Sequence, residues 1–188
     1  IPKRDWSSDV CSSDLLDSGK QIGQFESRIE VQTLNFSPNG QWLAITFQDA
    51  KTVEIWDWKQ KTLARSVPSP LGVYSAAWSE DGSTLAFATV DFRIHVWDTA
   101  AWEEKQMLVG HQGQIIELSF LPGETGLVSV SWDGTIRLWD IRSGMALWRL
   151  PESGPQIRYN PVSRRFGFQR SDYSDLALFE LVPDFLAR

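Results

Sequence analysis

Cysteine is almost missing from this 188-residue chain: the one copy, Cys11, sits in a terminal segment that is set apart below, so the rest of the chain can form no disulfide. Histidine is nearly as scarce, with His95 and His111 alone, and no Cys/His pair stands at metal-ligand spacing. There is no glycine-rich phosphate loop and no Gly-x-Ser-x-Gly elbow. Together these gaps leave no metal, no cofactor, no small-molecule substrate and no catalytic residue expected. No apolar run approaches the ~20 residues of a membrane helix, and no stretch has helical period. Basic clusters are missing as well. With a net charge of −6, or −5 once residues 1–15 are set aside, the chain is a poor match for nucleic acid or an anionic membrane. A cytoplasmic location is the expectation.

What is present is alternation. The stretch 110–140 reads GHQGQIIELSFLPGETGLVSVSWDGTIRLWD: three short runs of period two, joined by turn residues such as Pro122-Gly123 and Asp133-Gly134. Period two places one face of each run against a core, which predicts three strands and tight turns. Laid along the chain, the same marks recur. An aromatic closes the first run at Phe36, Trp78, Phe120 and Tyr159, and an apolar residue follows seven positions later at Leu43, Leu85, Leu127 and Phe166. The third run closes at Trp56, Trp97 and Trp139, spaced 41 and 42 residues apart, with Phe179 40 further on. A turn follows each first-run aromatic, Ser37-Pro38-Asn39-Gly40 and Ser79-Glu80-Asp81-Gly82 being the plainest. A repeat of this length with Trp-Asp endings at Asp57, Asp98 and Asp140 resembles the WD-repeat family, whose unit is a four-stranded propeller blade. The resemblance covers 16–181 and implies an all-β fold: a partial β-propeller, an open arc of about three and a half blades at 26–68, 69–110, 111–153 and 154–188, with no helix.

The two ends fit this register differently. Residues 1–15 have no place in the repeat. Their WSSDVCSSD core reads like a widely used sequencing-adapter oligonucleotide translated in one frame, and the segment is expected to be foreign and unstructured, the alternative being a Ser/Asp-rich disordered tail. Residues 16–20 match 141–145, just after Trp139-Asp140. Residues 20–25 are therefore expected to form the outer strand of a blade whose other strands lie upstream, making the chain a fragment. The final blade is degenerate, with Phe179-Glu180 in place of Trp-Asp and no clear fourth strand in 182–188.

The family resemblance also assigns residues. His111, Ser131, Asp133 and Trp139 could suggest a hydrolytic set, but in this family such residues form a buried hydrogen-bonded tetrad within one blade, and that is the role expected here. The second blade keeps Thr89, Asp91 and Trp97 with Ser69 at the histidine position; the first keeps Asp49 and Trp56, one residue further apart, so full tetrads are not expected in either. His95 is expected to face solvent or a neighbour. Asn35-Phe36-Ser37 matches a glycosylation sequon, discounted at the end of an inner strand before Pro38. The partner-binding rim implied by the family falls on the residue before each turn aspartate, Gln48, Val90 and Trp132. It also takes in alternate residues early in each inner strand: Glu30 and Gln32, Gly72 and Tyr74, Gln114 and Ile116. Tyr74, Ile116 and Trp132 are the expected anchors for a protein or peptide. The reading is a non-catalytic interaction scaffold. The alternatives are the propeller of a hydrolase-type enzyme, or a sensor array attached to an upstream kinase, protease or nucleotidase domain.

Overall fold

A computed structural model describes residues 10–15, 20–26, 30–123, 125–151, 153–160, 165–170 and 176–180. Among them there is no helix, and the chain forms successive antiparallel sheets. The first four-stranded sheet runs β3 (Val31–Phe36), β4 (Trp42–Phe47), β5 (Thr52–Asp57) and β6 (Thr62–Pro68). The second runs β7 (Val73–Trp78), β8 (Thr84–Thr89), β9 (Ile94–Asp98) and β10 (Glu103–Leu108), and the third β11 (Ile115–Phe120), β12 (Gly126–Ser131), β13 (Thr135–Asp140) and β14 (Met145–Pro151). A last sheet has three strands, β15 (Ser153–Asn160), β16 (Arg165–Arg170) and β17 (Leu176–Glu180). Strands are hydrogen-bonded in chain order within each sheet.

The repeated marks of the sequence become one rung of each sheet. Phe36, Leu43 and Trp56 lie opposite one another across β3, β4 and β5. Trp78, Leu85 and Trp97 do so in the second sheet, Phe120, Leu127 and Trp139 in the third, and Tyr159, Phe166 and Phe179 in the last. The turns obey a shared chemistry too. Ser37 and Ser79 each accept a hydrogen bond through Oγ, from the amides of Trp42 and Thr84, at 2.9 Å. Each hydroxyl donates to the Asn39 or Asp81 side chain at 2.7 Å, while Gly40 and Gly82 take the positive φ that ends the turn, 64° and 74°.

The core lies between sheets. Ala44, Val53, Ile55 and Val67 of the first sheet pack with Val73, Ala76, Leu85, Phe87 and Trp97 of the second. Ala86, Ala88, Ile94, Val96 and Leu108 of the second pack with Ile115, Leu118, Phe120, Leu127 and Trp139 of the third. Alanines at the contact let the sheets approach, and the β-branched and aromatic neighbours fill the space. One polar tie crosses the first of these interfaces: the Trp78 indole donates to the carbonyl of Asn35 at 3.1 Å.

Two expectations change at the start of the chain. Val10–Leu15, expected to be unstructured, is strand β1, and it pairs antiparallel with β2 (Lys20–Glu26) in a separate two-stranded sheet. Residues 20–25 are thus a strand, as the register required, but their partner is the preceding segment. Backbone pairing does not need a side-chain pattern, so an extended neighbour can fill an open edge whatever its sequence. Residues 1–9, the Ser18-Gly19 turn, Pro161 and the 182–188 tail lie outside the described residues.

Candidate functional site

In three sheets the ladder between the first and second strand slips once, and the slip falls on the expected rim residues. Register shifts between Val31 and Thr33, Val73 and Ser75, and Ile115 and Glu117 leave Gln32, Tyr74 and Ile116 as the extra residue of a β-bulge. A bulge interrupts the alternation and re-aims a side chain. The sequence argument, that strict alternation carries Gln114 and Ile116 to one side, therefore needs correction: the bulge sets their direction. Glu30, Gln32 and Gln48 are exposed, whereas Tyr74, Val90, Gln114 and Ile116 are half-buried. Ile116 packs on the cluster of Leu121, Val128, Val130, Ile136 and Leu138, so part of its surface is used in its own sheet.

Trp132 differs from these. The residue is 66% exposed, yet its backbone is held in place. The Trp132 amide donates to Gln114 O at 2.8 Å, just as Val90 donates to Gly72 O at 3.0 Å. The flanking Ser131 hydroxyl donates to Gly113 O at 2.8 Å and accepts from the Asp133 amide at 3.1 Å. A β-carbon on Gly113 would come within 2.7 Å of the Asp133 nitrogen, so only glycine allows the inner strand to lie this close to the turn. The first sheet meets the second at the same level, where Gly72 abuts the Gln48 carbonyl. These contacts bring Trp132 to Gln114, Val90 to Gly72 and Gln48 to Gly72.

Behind the turn runs a buried hydrogen-bonded chain, through Ser129 and not through Ser131. The Trp139 indole donates to Ser129 Oγ at 2.8 Å, Ser129 Oγ and His111 Nε2 are 2.7 Å apart, and His111 Nδ1 and Asp133 Oδ2 are 2.8 Å apart. Ser131, expected in this place, is taken up by the turn. Both serines share one face of β12, but Leu127 stands opposite Trp139, so the indole reaches the next residue on that face, Ser129. The direction of every bond follows. The indole donates to Ser129, whose hydroxyl has only His111 Nε2 as an acceptor among the described residues; giving its proton there leaves Nε2 unprotonated and the ring proton on Nδ1, directed to Asp133. Thr135, which the sequence reading did not include, adds its amide and hydroxyl to Asp133 Oδ1.

The ionisation states agree with this. Burial lowers the His111 pKa, outweighing the opposing pull of Asp133. Burial would raise Asp133, but the Thr135 hydroxyl, the Gln112 amide and His111 hold it down at about 2. Both shifts make the fold acid-sensitive. The neutral imidazole stabilises above its unfolded pKa of about 6.5 and this is lost as pH falls; the Asp133 share is present above about 3.9 and is lost on the way to pH 2. The melting temperature is expected to fall from pH 7 to 5 and again below pH 4, and His111→Asn is expected to flatten the upper limb. A melting temperature that rises between pH 7 and 5 would contradict the neutral-imidazole chain.

The first and second sheets lack this chain, having neither its histidine nor its serine. Phe87 occupies the place of Ser129 in the second sheet, and the buried Trp97 indole has no hydrogen-bond partner among the described residues. His95, expected to face solvent or a neighbour, is buried: its ring stacks on Phe87 at 5.3 Å and its Nδ1 lies 2.8 Å from Glu104. It stands opposite Phe87 on the face turned to the first sheet, which strand alternation alone could not reveal. In the first sheet Ile45 holds that place and the Trp56 indole turns to Glu54 at 2.7 Å. No group of three or more His, Cys, Asp or Glu able to hold a metal occurs among the described residues, and no helix there is long and apolar enough to cross a membrane.

The family model described as "WD domain, G-beta repeat" matches residues 19–57, 61–98 and 102–140. Each match starts just before or at an outer strand, β2, β6 or β10, and ends with the third strand of the following sheet, so repeat and blade are offset by one strand. Among curated proteins the chain is 32% identical to Protein Rae1 of Drosophila melanogaster over 65% of its own length and 38% of that protein's. It is 29% identical to serine-threonine kinase receptor-associated protein of Gallus gallus, over 79% and 45%. It is 32% identical to periodic tryptophan protein 2 of Arabidopsis thaliana, over 59% and 13%. The chain spans less than half of each of these relatives. With three repeat matches lying on three four-stranded sheets, the chain belongs to the WD40 family of WD-domain, G-beta repeat proteins.

Proposed function

We propose that this chain is a non-catalytic, cytoplasmic interaction scaffold, part of a larger WD-repeat protein, and that it captures a protein or peptide on the rim around Trp132. The observation that carries the reading is a tryptophan 66% exposed whose amide is held by Gln114 O and whose neighbour Ser131 is held to Gly113 and Asp133. A large rigid ring held out to solvent contributes contact area on binding at little conformational cost. Gln114 beside it, and Val90, Gly72, Tyr74 and Gln48 on the adjoining sheets, would extend the surface, with Gln32 and Glu30 at its far side. The mixed aromatic and polar character suits a peptide better than a nucleic-acid backbone. The buried chain supports a non-catalytic role: Ser129 is 0% exposed and the His111 side chain likewise, which keeps this serine–histidine–aspartate set from a substrate.

The test is selection of peptides from a displayed library on the full chain. Selected peptides should bind Trp132→Ala about tenfold or more weakly, equivalent to about 1.4 kcal/mol, with an unchanged melting temperature. Peptides that bind the variant as well as the parent would place recognition elsewhere.

A further inference from the structure

The third sheet carries a charge arrangement that its folding does not explain. Arg137 on β13 and Arg149 on β14 stand directly opposite one another in the ladder. Like charges so placed oppose strand pairing, and the usual remedy is a carboxylate nearby. Neither arginine forms an ion pair among the described residues. Asp133 is the acid whose field reaches Arg137, but its oxygens are occupied by His111, the Gln112 amide and Thr135. Arg149 is exposed. Arg137 is half-buried, its guanidinium over the Trp139 ring at 5.7 Å. Gly110 makes room for it, since a β-carbon there would lie 2.4 Å from Arg137 Nη1. Burial lowers the Arg137 pKa, and the Arg149 charge adds to this while Asp133 opposes it, so the cation is under-compensated where it stands.

We infer that Arg137 and Arg149 form a phosphate-binding pair, filled by a phosphorylated side chain of a partner protein. Two guanidiniums present forked donors that match phosphate oxygens, and their joint charge of two is balanced by one phosphate group, about −1.5 to −2 at neutral pH, where a single carboxylate would balance half. In a chain of net charge −6, an uncompensated pair of cations gives a local attraction that most of the surface lacks. The pair lies two residues along β13 from Thr135, itself two residues past Asp133, roughly 7 Å of strand below the rim turn. A segment crossing the rim could thus place a phosphate here, although the pair's own chemistry does not depend on the rim.

The experiment uses the full chain. Inorganic phosphate should raise its melting temperature, relative to chloride at equal ionic strength, and binding should weaken about tenfold or more in Arg149→Gln, which changes only an exposed side chain. Arg149→Glu should abolish the phosphate effect and yet raise the melting temperature without phosphate, because a cross-strand ion pair replaces the repulsion; a merely structural arginine would not produce that opposite pair of changes. A phosphoserine peptide should compete with inorganic phosphate, and its unphosphorylated form should not. Equal shifts from phosphate and chloride, or phosphate binding retained in Arg149→Gln, would overturn the site. Binding of free phosphate with no competition by the phosphopeptide would overturn its assignment to a phosphorylated partner. Failure of Trp132→Ala to affect rim peptides leaves all these outcomes unchanged, so the two readings fail separately.

Discussion

Replacing Gly72 with alanine is expected to separate the first two sheets and to cost on the order of 3 kcal/mol or more, beyond the usual range for an overpacked site. The added β-carbon would sit 1.5 Å from the carbonyl oxygen of Gln48 and 2.6 Å from its carbonyl carbon. Both are backbone atoms, so no side-chain rotation can relieve the contact. Moving the Gln48 turn disturbs the end of β4; moving β7 disturbs the Gly72 carbonyl that holds the Val90 amide. Either shift strains an interface whose Val53, Ile55, Val73, Leu85 and Phe87 are 0% exposed. The melting temperature should fall by roughly 6 to 12 °C, at 2 to 4 °C per kcal/mol for a chain of this size. Gly40→Ala is the control. Its β-carbon meets nothing within 4 Å, and its φ of 64° carries only a left-handed penalty of about 1–2 kcal/mol. Equal losses in the two variants would mean that crowding at Gly72 is not what joins the sheets.

Ser129→Val is expected to have the next largest effect. The hydroxyl accepts from the Trp139 indole and donates to His111, and both partners are buried. Removing it leaves two polar groups unpaired, each worth about 1–3 kcal/mol, with a sum that neighbouring groups can reduce. Ser131→Ala, by contrast, removes one hydrogen bond to Gly113 O and one from the Asp133 amide, both to backbone groups of residues that are only half-buried. Its loss should be about 1 kcal/mol. Urea unfolding of the two variants ranks the serines directly. A larger loss at Ser131 would return the chain to the residue first expected from the sequence.

The sequence by itself determined the sheets. Period-two alternation, turn residues and the spacing of aromatics repeat often enough to place the first-run aromatic, the apolar residue seven positions later and the third-run aromatic of each unit on one ladder rung, since strand pairing converts equal spacing into equal height. Phe36, Leu43 and Trp56 needed no coordinates to be grouped. That His111, Asp133 and Trp139 belong together was what the family resemblance carried by these residues implied, and the structure joins them in one chain. What only the tertiary structure decided depends on direction at a scale finer than the repeat. Which of two same-face serines meets the indole depends on the cross-strand register, one rung apart. Whether His95 is covered depends on a neighbouring sheet that contributes nothing to its local pattern. The aim of Tyr74 and Ile116 depends on a bulge, and a bulge leaves no mark in an alternating sequence because it arises where the paired strands part. Arg137 and Arg149 are twelve residues apart and unremarkable in the chain; only antiparallel pairing puts their charges face to face.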